Sequence, residues 1–146
     1  MSDYLDPQNE ELLKDFFDEA NLQVDLFEQN ILALKKNSND RDAIDEMFRA
    51  AHTLKGAAAT VQMQELASFT HLVEDALDEV RGGNAEPMGQ VVESLLKSID
   101  VIKEMLEARI RGEVLDKEPT DLIAVLRKAT GLAAPESDAP PPDAPT

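Results

Sequence analysis

The chain has two histidines, His52 and His71, and no cysteine. Nucleophilic and acid–base chemistry near neutral pH therefore falls to two imidazoles and a large supply of carboxylates. His52 has the more telling surroundings. Arg49 stands three residues before it, Lys55 three after, Gly56 four after and Ala59 seven after. On a helix all of them share its face. The run from Gly56 to Ala59 strips that face of bulk, and a mid-helix glycine costs up to about 1 kcal/mol relative to alanine. Close approach of another molecule would offset that cost. On the next helical pattern His71 and Glu74 lie three residues apart. If the two helices are antiparallel neighbours, Glu74 reaches across to His52. A carboxylate accepting from Nδ1–H fixes the tautomer and leaves the Nε2 lone pair facing out. The result is a positioned nitrogen nucleophile, with Lys55 able to neutralise an incoming phosphoryl group. On spacing alone a plainer reading stands ahead of this one. It is a helical interaction module without chemistry, with a surface histidine, a solvated glutamate and alanine as helix filler.

The elements that must position these residues are helices. Leu13, Phe16, Ala20, Val24, Phe27, Ile31 and Leu34 recur by threes and fours, as do Ile44, Met47, Ala51, Leu54, Ala58 and Val61. Three more stripes follow: Leu66, Phe69, Val73, Ala76 and Val80; Val91, Leu95, Ile99, Ile102 and Leu106; and a shorter one of Leu122, Leu126 and Ala129. No segment alternates as a strand does. Asn37-Ser38-Asn39-Asp40 is a turn and cap cluster between the first two helices. Pro7, Pro87 and Pro119 each open a helical pattern, with Gly89 expected in a first turn. Gly82, Gly83, Gly112 and Gly131 mark helix ends. The spacing predicts an all-α fold: an antiparallel up-down-up-down four-helix bundle with a shorter fifth helix at its end. The first helix, at about 30 residues, would be roughly 45 Å long.

The 146 residues suffice for one domain. A helical domain is expected over 1–130 and a Pro/Ala-rich linker or tail over 131–146, which holds five of the eight prolines. The formal charge is −16, from 14 basic and 30 acidic residues. Removing the tail's three acids (Glu136, Asp138 and Asp143) still leaves −13 on the helical part. Such a surface repels nucleic-acid phosphates and anionic membranes. With no cysteine, disulfide scaffolds, thiolate metal sites and cysteine nucleophiles are excluded. Met1 is followed by an acidic stretch, and no apolar run is long enough to span a bilayer. The expected compartment is the cytoplasm, with no membrane insertion. A di-metal bundle would need repeated Glu-x-x-His pairs, but the sequence has a single His-x-x-Glu in the reverse order. No serine triad pattern or Gly-rich phosphate loop occurs, so the chain is not expected to bind ATP on its own.

The string Phe48-Arg49-Ala50-Ala51-His52-Thr53-Leu54-Lys55-Gly56 resembles the phosphorylation-site motif of the histidine-containing phosphotransfer (HPt) domain family. The likeness is greatest to the N-terminal phosphotransfer domains of chemotaxis histidine kinases. Phe16-Phe17-Asp18-Glu19-Ala20 and the segment from Thr70 to Glu79 resemble the first and third helices of that domain, and the similarity spans roughly residues 10 to 130. The resemblance implies a phosphorelay. His52 would be the phosphoacceptor at Nε2, and Glu74 would hold its ring. Lys55 and His71 would support the site, and Gly56 would leave room for the partner. Arg49, Lys55, Gly56 and Ala59 would face that partner. The phosphoryl group would come from an ATP-bound histidine kinase domain, on the same chain or another, and pass to an aspartate of a response-regulator receiver. ATP and Mg²⁺ would belong to those partners, with no cofactor held by this domain. The domain itself would be a phosphoacceptor module, and its parent protein a histidine kinase. The sequence departs from the family at Ala57 and Ala59, where glycine is common, and at Gln62-Met63, where Gly-Phe is common.

Overall fold

The structure is a computed structural model and describes residues 10–115 and 117–132. The helix start expected at Pro7, and all of the expected tail after Leu132, lie outside the described residues. Five helices and no strand are found among the described residues: α1 (Glu10–Lys36), α2 (Arg41–Thr60), α3 (Gln64–Arg81), α4 (Gln90–Ile110) and α5 (Thr120–Thr130). The first spans 27 residues here, against the 30 or so expected.

Each helix forms for the reason its stripe suggests. The apolar positions listed by period become the core: Phe16, Phe27 and Ile31 of α1, Met47 and Leu54 of α2, Leu66 and Val73 of α3, and Leu95 and Ile99 of α4 are all at most 5% exposed. Asp40 caps α2 by accepting from the Ala43 N–H at 3.1 Å, one of the four donors a helix start leaves unpaired. α1 packs on α2 and α4, α3 packs on the same two helices, and the diagonal pairs stay apart, which gives a square bundle. α5 lies across α3 and α4 and seals that end with fully buried Leu126.

Side-chain pairs across the helices set their directions. Glu74 of α3 meets His52 of α2, while Arg81, two turns further along α3, meets Phe48, one turn earlier on α2. The two helices therefore run antiparallel. Asn30 of α1 bonds Glu46 of α2 close to their four-residue connection, so that pair reverses as well. α3 and α4 are tied by Arg109, whose Nε and Nη2 donate to the two oxygens of Glu65 at 2.6 and 2.7 Å. Burial acts to raise the Glu65 carboxyl pKa, but this planar two-point contact outweighs it and holds the group below its ordinary value.

α2 to α5 end alike. In each, an N–H just past the helix returns to an orphan carbonyl five residues earlier: Met63 to Ala58, Asn84 to Glu79, Glu113 to Ala108 and Leu132 to Arg127. A residue with positive φ makes each return possible. Gly83, Gly112 and Gly131 do so in three of them, and in the fourth it is Gln62, at φ 64°. This accounts for the departure noted at Gln62-Met63. Gln62 takes the left-handed position that glycine fills elsewhere, and Met63 (1% exposed) plugs the core where phenylalanine is common.

One boundary differs from expectation. Gly89 is not in the first turn of α4 but caps it at φ 60°, and the helix begins at Gln90. That backbone angle cannot continue a right-handed helix back to Pro87, and the Met88 N–H instead closes a tight turn on the Glu86 carbonyl around the proline. Pro119 likewise stands just outside α5, at its cap.

A left-handed conformation costs a non-glycine residue about 1–2 kcal/mol, of which glycine's larger unfolded-state entropy returns roughly half. Gln62→Gly should therefore stabilise the domain by about 0.5–1 kcal/mol, a rise of about 1–3 °C in Tm, read by thermal or urea unfolding. A loss of stability would show that the Gln62 side chain itself holds the turn.

Candidate functional site

His52 sits on the exposed edge of α2 where it meets α3. Its side chain is 63% exposed, and its Nδ1 lies 2.6 Å from Oε2 of Glu74. The spacing-based expectation that Glu74 reaches across the helix pair thus describes the geometry found. Glu74 is no solvated charge: its side chain is only 9% exposed. Its other oxygen, Oε1, lies 2.7 Å from Nζ of Lys55. Each carboxylate oxygen has its own partner, and both partners come from α2, one turn apart.

Lys55 occupies a different place from the one spacing suggests. Its side chain is 28% exposed and its ammonium turns in to Glu74, not outward over the imidazole. Burial by itself would raise the Glu74 pKa, but the nearby Lys55 ammonium and the His52 ring more than offset it, and the group is held below the ordinary carboxylate value. The carboxylate is therefore ionised throughout the neutral range, as an orienting acceptor must be.

His71 is brought to the neighbourhood but not into the cluster. It is exposed, and its Nε2 lies 3.6 Å from Asp75 on its own helix. No hydrogen bond joins it to His52 or Glu74 among the described residues. Arg49 and Ala59 are exposed on either side of His52 along α2. Gly56 faces solvent too: a Cβ placed there would meet no atom within 4 Å. Among the described residues no packing contact requires a glycine there. The Thr60 hydroxyl donates to the Gly56 carbonyl at 3.0 Å and steadies the last turn of α2.

One neighbour of the site was not foreseen from spacing. The guanidinium of Arg81, at the end of α3, stacks 3.9 Å from the ring centroid of Phe48. Phe48 is one turn before His52 on the same face of α2. Arg81 is seven residues beyond Glu74, so the two share the α2-facing edge of α3, but only the register between helices could have revealed the contact.

Chemically, the cluster makes an oriented, solvent-facing imidazole. With Nδ1–H donated to Oε2, the neutral ring keeps its lone pair on Nε2, away from the protein. Gly56 and Ala59, both exposed, keep the same face of α2 low beside it. That face is suited to docking against a protein that brings the electrophile, not to enclosing a small substrate.

Comparison with known proteins agrees with this chemistry. The Hpt domain family model matches residues 11–112. The chemotaxis protein CheA of Treponema pallidum is 58% identical over 127 residues, and that of Borreliella burgdorferi is 50% identical over 124. These alignments cover 87% and 85% of this chain but 16% and 14% of those proteins, so the chain spans less than a fifth of their length. Among solved structures, the phosphorylated P1 domain of CheA3 in complex with CheY6 from R. sphaeroides superposes with a TM-score of 0.75 at 28% identity, covering 85% of this chain and 98% of that one. The histidine phosphotransfer domain of CheA superposes with a TM-score of 0.73 at 26% identity, covering 86% and 94%.

The lowered pKa of Glu74 has a signed consequence. Its ionised form stabilises the fold fully above the ordinary carboxylate value of 4.5, and that contribution is lost as pH falls through the lowered folded value. Urea midpoints measured from neutral pH into acid should fall more steeply for the wild type than for Glu74→Gln, which has no proton to take up there. Parallel profiles would mean that Glu74 titrates as an ordinary surface carboxylate.

Proposed function

The chain belongs to the Hpt domain family, and from that premise we propose that it is the phosphotransfer module of a chemotaxis histidine kinase, with His52 as its phosphoacceptor. The observation that carries the reading is the 2.6 Å contact between Nδ1 of His52, a side chain 63% exposed, and buried Glu74. A kinase catalytic domain, in cis or in trans, presents ATP with its Mg²⁺. Nε2 attacks the γ-phosphorus in line, the N–P bond forms, the bond to the β–γ bridging oxygen breaks, and ADP leaves. The ring gains positive charge as Nε2 donates its pair. Glu74, already facing Nδ1–H, stabilises that charge without having to move. Lys55 acts through Glu74 by holding its second oxygen.

In the second step an aspartate carboxylate of a response-regulator receiver attacks the same phosphorus. The N–P bond breaks, an acyl phosphate forms, and the electron pair returns to Nε2. The domain supplies a nucleophile and its orientation, and the partners supply nucleotide, metal and acceptor. Gly56 and Ala59 keep the surface low enough for both partners to approach, and Arg49 faces them. Among the described residues no helix is long and apolar enough to cross a membrane. Dependence on ATP places the working module in the cytoplasm on this reading.

Incubation with a cognate kinase domain and ATP should yield one phosphoryl group that is acid-labile and base-stable, and His52→Gln should abolish it. An acid-stable label, or one indifferent to that substitution, would sink the reading. Glu74→Ala should slow labelling by about ten- to a hundredfold, the loss expected for one hydrogen bond to a charged group, while the helical content stays unchanged.

A further inference from the structure

We propose that Arg81, held against Phe48, is a positioning cation of the His52 surface that sets how tightly an acidic receiver docks; this rests on the phosphotransfer reading above. The starting point is how the cations around His52 are used. Lys55 is the cation that spacing favours, but its ammonium is committed to Glu74 at 2.7 Å. Arg49 is exposed on α2 and rests on a flexible stem. Arg81 differs from both. Its guanidinium lies 3.9 Å from the centroid of the Phe48 ring, within the range of a cation–π contact. One Nη reaches Asp78 at 3.3 Å, one turn back on the same helix, and the side chain is 41% exposed.

The Phe48 ring and the Asp78 carboxylate restrict where the guanidinium can go, while 41% of the side chain stays exposed. Phe48 is one turn, about 5.4 Å, from His52 on the same face of α2. Arg81 therefore places a planar group of donors at the Phe48 end of the His52 face, on the side away from Lys55. The helical part behind it carries −13, so a cation at this edge is a local exception that an acidic partner would detect. A receiver must gather carboxylates around its acceptor aspartate to hold Mg²⁺. The rim of that pocket is the chemistry a planar, bidentate donor fits. A cation at such a rim acts mainly on encounter and affinity and little on the chemical step.

The test separates those two effects. The full chain is phosphorylated at His52 with kinase and ATP, freed of nucleotide, and mixed with increasing receiver while loss of the label is followed. Arg81→Glu should raise the half-saturating receiver concentration about tenfold at low salt and leave the plateau rate within about twofold. The difference should shrink as salt is added. Arg81→Lys, which keeps the charge and loses the planar fork, should fall between. Phe48→Leu, which frees the guanidinium, should move in the same direction as Arg81→Glu. Circular dichroism and Tm confirm that each variant is folded, and Arg81→Lys carries the test if Arg81→Glu is not. An unchanged half-saturation for Arg81→Glu, or a fall confined to the plateau, overturns the proposal. If the wild type takes no label on His52, the phosphotransfer reading fails as well.

Discussion

The carboxylate of Glu74 is the constraint on which the rest of the site depends. A carboxylate taken out of water costs several kcal/mol unless its oxygens are paired. Here each oxygen has a partner, His52 on one side and Lys55 on the other. Both partners are on α2 and the carboxylate is on α3, so the pairing exists only in one register of the two helices. A slip of one residue along either helix rotates a side chain by about 100°, which would turn Glu74 out of the interface and leave the imidazole without a fixed tautomer. The orientation of one exposed ring is thus a property of how two helices pack.

Two features near the site hold that register. Leu54, Ala58, Leu66, Val73 and Leu77 are buried in the same core beneath the His52–Glu74 pair. The three-residue connection from α2 to α3 closes by the Met63-to-Ala58 and Gln62-to-Ala59 bonds, with the Met63 side chain in the core. A loop this short permits little sliding. Further away, the buried Arg109–Glu65 pair fixes α3 against α4, and Lys103 reaches Glu28 at 2.9 Å to join α4 to α1. The Glu28 contact raises the Lys103 pKa above its ordinary value, although that pair is exposed and adds little to stability.

Much of this was legible in the sequence because it depends on period and local chemistry. The five helices, their buried stripes, the Asp40 cap and three of the glycine helix ends follow from spacing and backbone preference. The reach of Glu74 to His52 followed once neighbouring helices were taken as antiparallel. What was not legible depends on tertiary register. Spacing places Lys55 beside His52, but only the burial of Glu74 decides that its ammonium turns inward. Arg81 and Phe48 are 33 positions apart in the chain and meet only because α3 folds back along α2. His71 has the right spacing to Glu74, but its side chain is exposed and its Nε2 faces Asp75, one turn on along α3. The helix start at Gln90 was also hidden, because proline and glycine preferences fit a first turn as well as the turn before it.

The openness of the site bears on how such a surface gains specificity. The His52 side chain is 63% exposed, so water reaches it in the free domain. Selectivity on the proposed reading must come from the area around the ring. Gly56 is informative here. It costs about 1 kcal/mol in mid-helix, yet a methyl group there would meet no packed neighbour among the described residues, so no contact among them explains it. On the proposed reading, that backbone entropy is returned when the partner comes closer than a side chain would allow. The cations around the ring divide the remaining work. Lys55 neutralises the buried carboxylate that orients His52, which on the proposed reading leaves Arg49 and Arg81 as the outward-facing charge of an otherwise acidic surface.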